Sequence, residues 1–146
     1  MTRGVIFYIR ALFDPGTQGL TEGCKGLLEG LRTKGYILCL FGRTSDNRVE
    51  LICLLRPFEL FGRILFASND RIRRHLQECL EYGDLEPSET FVVGTRVGKE
   101  IAIGKRMGMK TILYRSGRFR SRLPVNQSQV VDFIVFDIRD VINFLV

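Results

Sequence analysis

Short apolar runs alternate with stretches of helical periodicity along this chain. Val5–Ile9 is a continuous apolar run of the kind a strand buried on both faces requires. Leu20, Cys24, Leu27, Leu28 and Leu31 then recur at the spacing of one helical face, with Thr21 available as an N-cap and Gly35 to close the helix. Tyr36–Phe41 reads as the next strand. Ser45 can cap a helix carrying Val49, Ile52 and Cys53. Arg63–Ala67 predicts a third strand, and Ile72, Leu76, Cys79 and Leu80 a further amphipathic helix, with His75 expected on its exposed side. The remainder predicts a strand at Phe91–Val93, a helix over Val97–Gly108, strands at Lys110–Tyr114 and Val131–Phe136, and a closing helix through Ile138, Val141, Ile142 and Leu145.

Alternating β and α units with unalternated strands imply a parallel sheet covered on both sides. The expected fold class is therefore α/β: a three-layer α/β/α sandwich with a doubly wound, Rossmann-like sheet. Ligands of such sheets bind at the carboxyl ends of the strands. That puts the loops after Ile9, Phe41, Ala67 and Val93 around the expected site.

Composition narrows the function classes. The 146 residues are 45% hydrophobic and 26% charged, the balance of one soluble globular domain. No run approaches the roughly 20 apolar residues of a membrane span. Met1-Thr2-Arg3-Gly4 leads into an apolar stretch without a small-residue cleavage site, so no signal peptide and a cytoplasmic location are expected. Four cysteines (Cys24, Cys39, Cys53, Cys79) form no Cys-x-x-Cys pair, and His75 is the one histidine. Reduced core thiols are expected in place of a zinc site. The net charge of +6 favours anionic partners. Its densest stretches are Arg71/Arg73/Arg74 and Gly117–Arg122, read as solvated surface, with nucleic-acid binding as an alternative and Phe119 as a base-stacking candidate or loop anchor.

The segment Phe91-Val-Val-Gly-Thr-Arg-Val-Gly-Lys-Glu-Ile-Ala-Ile-Gly-Lys-Arg-Met-Gly-Met-Lys-Thr111 resembles the fourth motif of the haloacid dehalogenase (HAD) phosphohydrolases, V-V-G-D-R-x-x-T-D-I-x-x-G-x-x-x-G-M-x-T. Gly94, Arg96, Ile101, Gly104, Gly108, Met109 and Thr111 fall in register without a gap. Val5–Asp14 resembles the family's first-motif strand, Gly23–Tyr36 the helix before its second motif, and Leu85–Thr90 the turn before its fourth strand. The resemblance implies a HAD-like fold over the whole chain, residues 1–146, as one domain without a cap insertion. It further implies a site that a large substrate or a partner subunit covers, with a homo-oligomer or protein partner as expectations.

The resemblance also implies what chemistry to look for. Family members attack phosphorus with an aspartate at the end of the first strand, assisted by a second aspartate, a Ser/Thr, a Lys and acidic magnesium ligands. In this register Tyr8 stands at the nucleophile, Arg10 at the acid/base, Gly42 at the Ser/Thr and Thr95 at the first metal-ligand position. Glu100 keeps an acid at the second and is the candidate metal ligand. The Lys position falls near Asp70–Arg74. Arg10, Arg43, Thr44, Ser45, Thr95 and Arg96 then form a candidate pocket for a small anion or phosphorylated ligand. The alternative is a closed site in which Arg10 pairs with Glu100. Tyr8 is expected to fill space, and Gly94, Gly104 and Gly108 to serve close packing.

The leading expectation is a non-catalytic anion-binding, regulatory or interaction module, a pseudoenzyme that needs no cofactor. The alternatives are a HAD-type phosphatase and a nucleic-acid-binding module. The phosphatase would be Mg²⁺-dependent and work through altered residues or through Asp14, whose Asp14-Pro-Gly-Thr17 resembles D-x-x-G-T.

Overall fold

The computed structural model describes residues 2–14, 19–43, 60–67, 71–115 and 131–145. Six strands form one parallel sheet: β1 (Thr2–Tyr8), β4 (Ile37–Arg43), β5 (Arg63–Ala67), β6 (Leu85–Gly94), β7 (Lys110–Tyr114) and β8 (Phe133–Val135). Their spatial order is β5-β4-β1-β6-β7-β8. The remaining strands, β2 (Phe13–Asp14) and β3 (Gly19–Leu20), pair antiparallel as a small hairpin outside the sheet. Every pairing in the six-stranded sheet is parallel. The α/β, Rossmann-like, doubly wound fold expected from the sequence is the observed one.

Burial explains why the central strands carry no polar alternation. Val5, Ile6, Phe7 and Tyr8 of β1, Leu38 to Phe41 of β4, and Val92 and Val93 of β6 are all essentially inaccessible. A strand covered on both faces has no solvent side to mark with polar residues. Right-handed crossovers from β1 through α1 (Cys24–Thr33) to β4, and from β5 through α2 (Ile72–Gly83) to β6, put these helices on opposite faces. The short α3 (Ala102–Arg106) packs beside α2, and the carboxyl-terminal 3-10 helix Ile138–Phe144 packs on α1.

Several boundaries differ from the sequence expectation. Thr21 does not cap α1. The N-cap is Gly23 at φ +84°, and a Cβ there would lie 2.3 Å from Cγ of Arg139 on the terminal 3-10 helix. Gly35, at φ +90°, closes α1 as expected, and Tyr36 N–H donates to the Leu31 carbonyl. Leu85–Thr90, expected as a turn, continues β6 with a register break between the pairs Thr2–Leu85 and Gly4–Thr90. His75 is buried at 7% exposure, not exposed. It belongs to the same stripe as Ile72, Leu76 and Cys79, and its ring packs 5.8 Å from that of Phe41. Gly108 adopts φ +88° where α3 ends, so its role is conformational, whereas Gly104 does serve close packing against Val92. The helix expected after Ser45 lies outside the described residues.

The far edge of the sheet is tied down by one carboxylate. Asp132 accepts hydrogen bonds from the Thr111 amide (2.8 Å), the Thr111 hydroxyl and Lys105, and its own amide donates to Thr111 Oγ1. Partial desolvation pulls the Asp132 carboxyl upward, but the bonds from Lys105 and Thr111 outweigh it and leave its pKa below the ordinary value. Such a group stabilises the fold at pH values above the unfolded carboxyl pKa, roughly 4. That contribution fades as pH falls through the depressed folded value. Asp132→Asn is expected to lower the unfolding free energy by about 1–3 kcal/mol at neutral pH. It should also flatten part of the loss of stability on acidification, as read by urea unfolding at a series of pH values. An unchanged acid limb in the variant would show that Asp132 does not carry that dependence.

Candidate functional site

In the strand order β5-β4-β1-β6-β7-β8 the order of succession switches sides between β1 and β6, and in such sheets ligands bind at the carboxyl ends of the strands at this switch point. Tyr8 ends β1, and Gly94 ends β6 beside it. The next residues, Thr95 and Arg96, lead into a π-helical turn at Val97–Ile101, whose backbone kinks at Lys99 (φ −118°, ψ −106°) before continuing as α3. This turn replaces the regular helix expected from Val97. It brings Glu100 back beneath the strand end.

Glu100 is completely buried, and its oxygens are engaged by groups of its own loop. Oε2 accepts from the backbone amides of Thr95 (2.8 Å) and Arg96 (2.9 Å), and Oε1 accepts from Arg96 Nε at 2.8 Å. The guanidinium of Arg96, one-quarter exposed, lies 4.1 Å from the ring centroid of Tyr8. Tyr8 is itself buried and packs 5.5 Å from Phe41. The result is a continuous stack from Glu100 through Arg96, Tyr8 and Phe41 to His75 on α2. Gly94 is required by this packing, since a Cβ there would sit 2.3 Å from Glu100 Cγ.

These positions revise the expected site. The guanidinium that meets Glu100 comes from Arg96, not from Arg10, which lies exposed in the 3-10 turn Ile9–Ala11. The four-residue spacing of Arg96, the N-cap of the turn, and Glu100 within it is the signal in the sequence that could have found the pair. Thr95 and Arg96 do come together at the strand end, where their amides hold Glu100. Gly42 is buried in β4, and Arg43 ends that strand at the same edge of the sheet. Thr44 and Ser45 lie outside the described residues. Asp14 falls on β2, paired with Gly19 in the hairpin, and Tyr8 holds the end of β1.

The remaining candidates have structural or surface positions. Cys24, Cys39 and Cys79 are buried free thiols. Burial pushes the Cys24 thiol up to about 12, and a hydrogen bond with Cys39 followed by burial raises Cys79, so neither offers a thiolate at neutral pH. Arg71, Arg73 and Arg74 are exposed along the start of α2, where Arg74 pairs with Glu78. Phe119 and the Arg118–Arg122 stretch lie outside the described residues. Among the described residues, no helix is long and apolar enough to cross a membrane.

A family model described as HAD-hydrolase-like matches residues 69–141, half of the chain. Glyceraldehyde 3-phosphate phosphatase from Pyrococcus furiosus is 22% identical over 149 residues, an alignment covering 97% of this chain and 60% of that protein. The chain thus spans about three-fifths of the length of this curated relative. A putative β-phosphoglucomutase from Thermotoga maritima superposes with a TM-score of 0.75 at 11% identity, covering 99% of this chain and 98% of the other. A putative HAD hydrolase from Bacillus subtilis, solved bound to magnesium, gives a TM-score of 0.70 at 14% identity over 86% of this chain and 56% of that one. At these identities the structural likenesses establish the fold.

The cluster has a measurable energetic consequence. Glu100→Ala leaves two part-buried amides and a guanidinium without their acceptor and is expected to cost about 3 kcal/mol. Gly94→Ala forces Glu100 out of its place and is expected to cost about 2 kcal/mol. Urea unfolding of both variants checks this, and wild-type midpoints would show that the cluster contributes nothing to the fold.

Proposed function

The chain belongs to the HAD-hydrolase-like family, and we propose that it uses the family's fold as a non-catalytic binding module, with its strand-end centre filled by its own side chains. One observation carries this reading: the strand-end position that the sequence resemblance assigns to the family's chemistry holds a Tyr8–Arg96–Glu100 cluster. A phenol titrating near pH 10 is a weak acceptor for a phosphoryl group without a strong activator. The nearest charge to Tyr8 in the cluster is a guanidinium, which cannot take its proton.

The family's magnesium does not fit the residues that are present. Magnesium needs hard oxygen donors with free lone pairs and near-octahedral geometry. Both oxygens of Glu100 already accept hydrogen bonds, one of them from a cation at 2.8 Å. Among the described residues, no three His, Cys, Asp or Glu side chains converge as a metal site would require. No catalytic step through a metal follows from this arrangement.

A second reading, a HAD-type phosphomonoester hydrolase, draws its support from the relatives, which favour it over the binding reading. The curated relative is a phosphatase, and one structural neighbour binds magnesium. In that reading Asp14 on the β2–β3 hairpin supplies the nucleophile that Tyr8 does not.

Phosphate release from p-nitrophenyl phosphate and from glyceraldehyde 3-phosphate, with and without Mg²⁺, separates the two. The binding reading expects no Mg²⁺-dependent turnover and no difference between wild type and Asp14→Ala. Turnover that Asp14→Ala abolishes would establish the hydrolase instead.

A further inference from the structure

The interface between β4 and α2 carries two thiols that meet. Side chains alternate along a strand, so Cys39 and Phe41 of β4 share one face. On α2, His75 and Cys79 lie one turn apart on the buried stripe. Strand and helix touch through both pairs. The rings of Phe41 and His75 are 5.8 Å apart, and Cys79 is hydrogen-bonded to Cys39. Both sulfurs belong to free thiols with no solvent exposure. Cys24 sits on α1, across the sheet.

We propose that Cys39 and Cys79 form a dithiol that a low-molecular-weight disulfide oxidises to an intramolecular disulfide, fastening α2 to β4. The reaction balances as two exchanges. One cysteine, as its thiolate, attacks the small disulfide and expels one small thiolate, leaving a mixed disulfide on the protein. The other cysteine attacks the protein sulfur of that mixed disulfide and expels the second small thiolate. The protein gives up two electrons and two protons, and the small disulfide takes them up as two thiols.

The geometry favours closure over a lasting mixed disulfide. The two thiols are held in contact by the fold, so the second exchange runs at an effective concentration that a dissolved thiol does not reach. A long stretch of chain separates them, so the link removes much freedom from the unfolded state. Burial governs the rate. The hydrogen bond to Cys39 and desolvation keep the Cys79 thiol protonated, so exchange proceeds through local opening of α2. A disulfide is shorter than a hydrogen bond between sulfurs, so closure draws α2 onto β4 and presses His75 on Phe41. Phe41 packs in turn on Tyr8, which carries the change to the strand-end cluster.

Peptide mapping of the full chain tests this. The protein is incubated with oxidised glutathione, its remaining thiols are blocked, and it is digested without reduction. The Cys39 and Cys79 peptides are expected joined, with the link absent from Cys39→Ser and Cys79→Ser and kept in Cys24→Ser and Cys53→Ser. The oxidised wild type is expected to unfold at higher urea than the reduced chain, and dithiothreitol to reverse this. In ¹H–¹⁵N spectra the Phe41, His75 and Tyr8 amides are expected to shift on oxidation. Two free thiols at the end of the incubation overturn the proposal, as does a lasting glutathione adduct on either cysteine. A link from Cys39 or Cys79 to Cys24 or Cys53 also overturns it, and so does an oxidised chain that unfolds at lower urea. A linked chain whose Tyr8 amide does not move overturns the connection to the strand-end cluster. Should a serine variant not fold, the wild-type map decides by itself.

Discussion

The burial of a single carboxylate organises the centre of this protein. Once Glu100 is removed from water, its oxygens must be matched by donors, and the chain supplies two backbone amides and one guanidinium within 2.9 Å. That requirement explains the local backbone. The π-helical turn at Val97–Ile101 swings Glu100 beneath Thr95 and Arg96, and Gly94 leaves the space that a Cβ would close. A regular helix from Val97 would carry the same side chain in a different direction.

From Glu100 the packing passes outward through aromatic rings. Arg96 lies over Tyr8, Tyr8 packs on Phe41, and Phe41 packs on His75 of α2. Tyr8 and Phe41 also belong to the hydrophobic core between β1, β4 and the helix above them. The centre is thus continuous with the core. Tyr8 at the end of β1 supplies apolar area where an acidic centre would supply charge and water.

The sheet is held by apolar strands, close helix packing at Gly104 and the Asp132–Thr111 tie. The chain keeps the fold of its structural neighbours at 11–14% identity.

The sequence by itself determined the layer architecture and most strands. Arg63–Ala67 and Lys110–Tyr114 are legible as strands because fully buried strands write their burial as uninterrupted apolar runs. Gly35 was legible as a helix stop because few residues other than glycine accept its φ of +90°. His75 and the Arg96–Glu100 pair were both present in the spacing, one on the apolar stripe of α2 and one as an i, i+4 ion pair. Reading the histidine by its type, however, placed it outside, and the closed-site alternative joined Glu100 to Arg10. What only the tertiary structure decided is the geometry at the meeting of β1 and β6. The π-helical kink at Lys99 and the clearance at Gly94 break the helical period, and the packing of Arg96 on Tyr8 joins segments almost ninety residues apart, so no local periodicity records them.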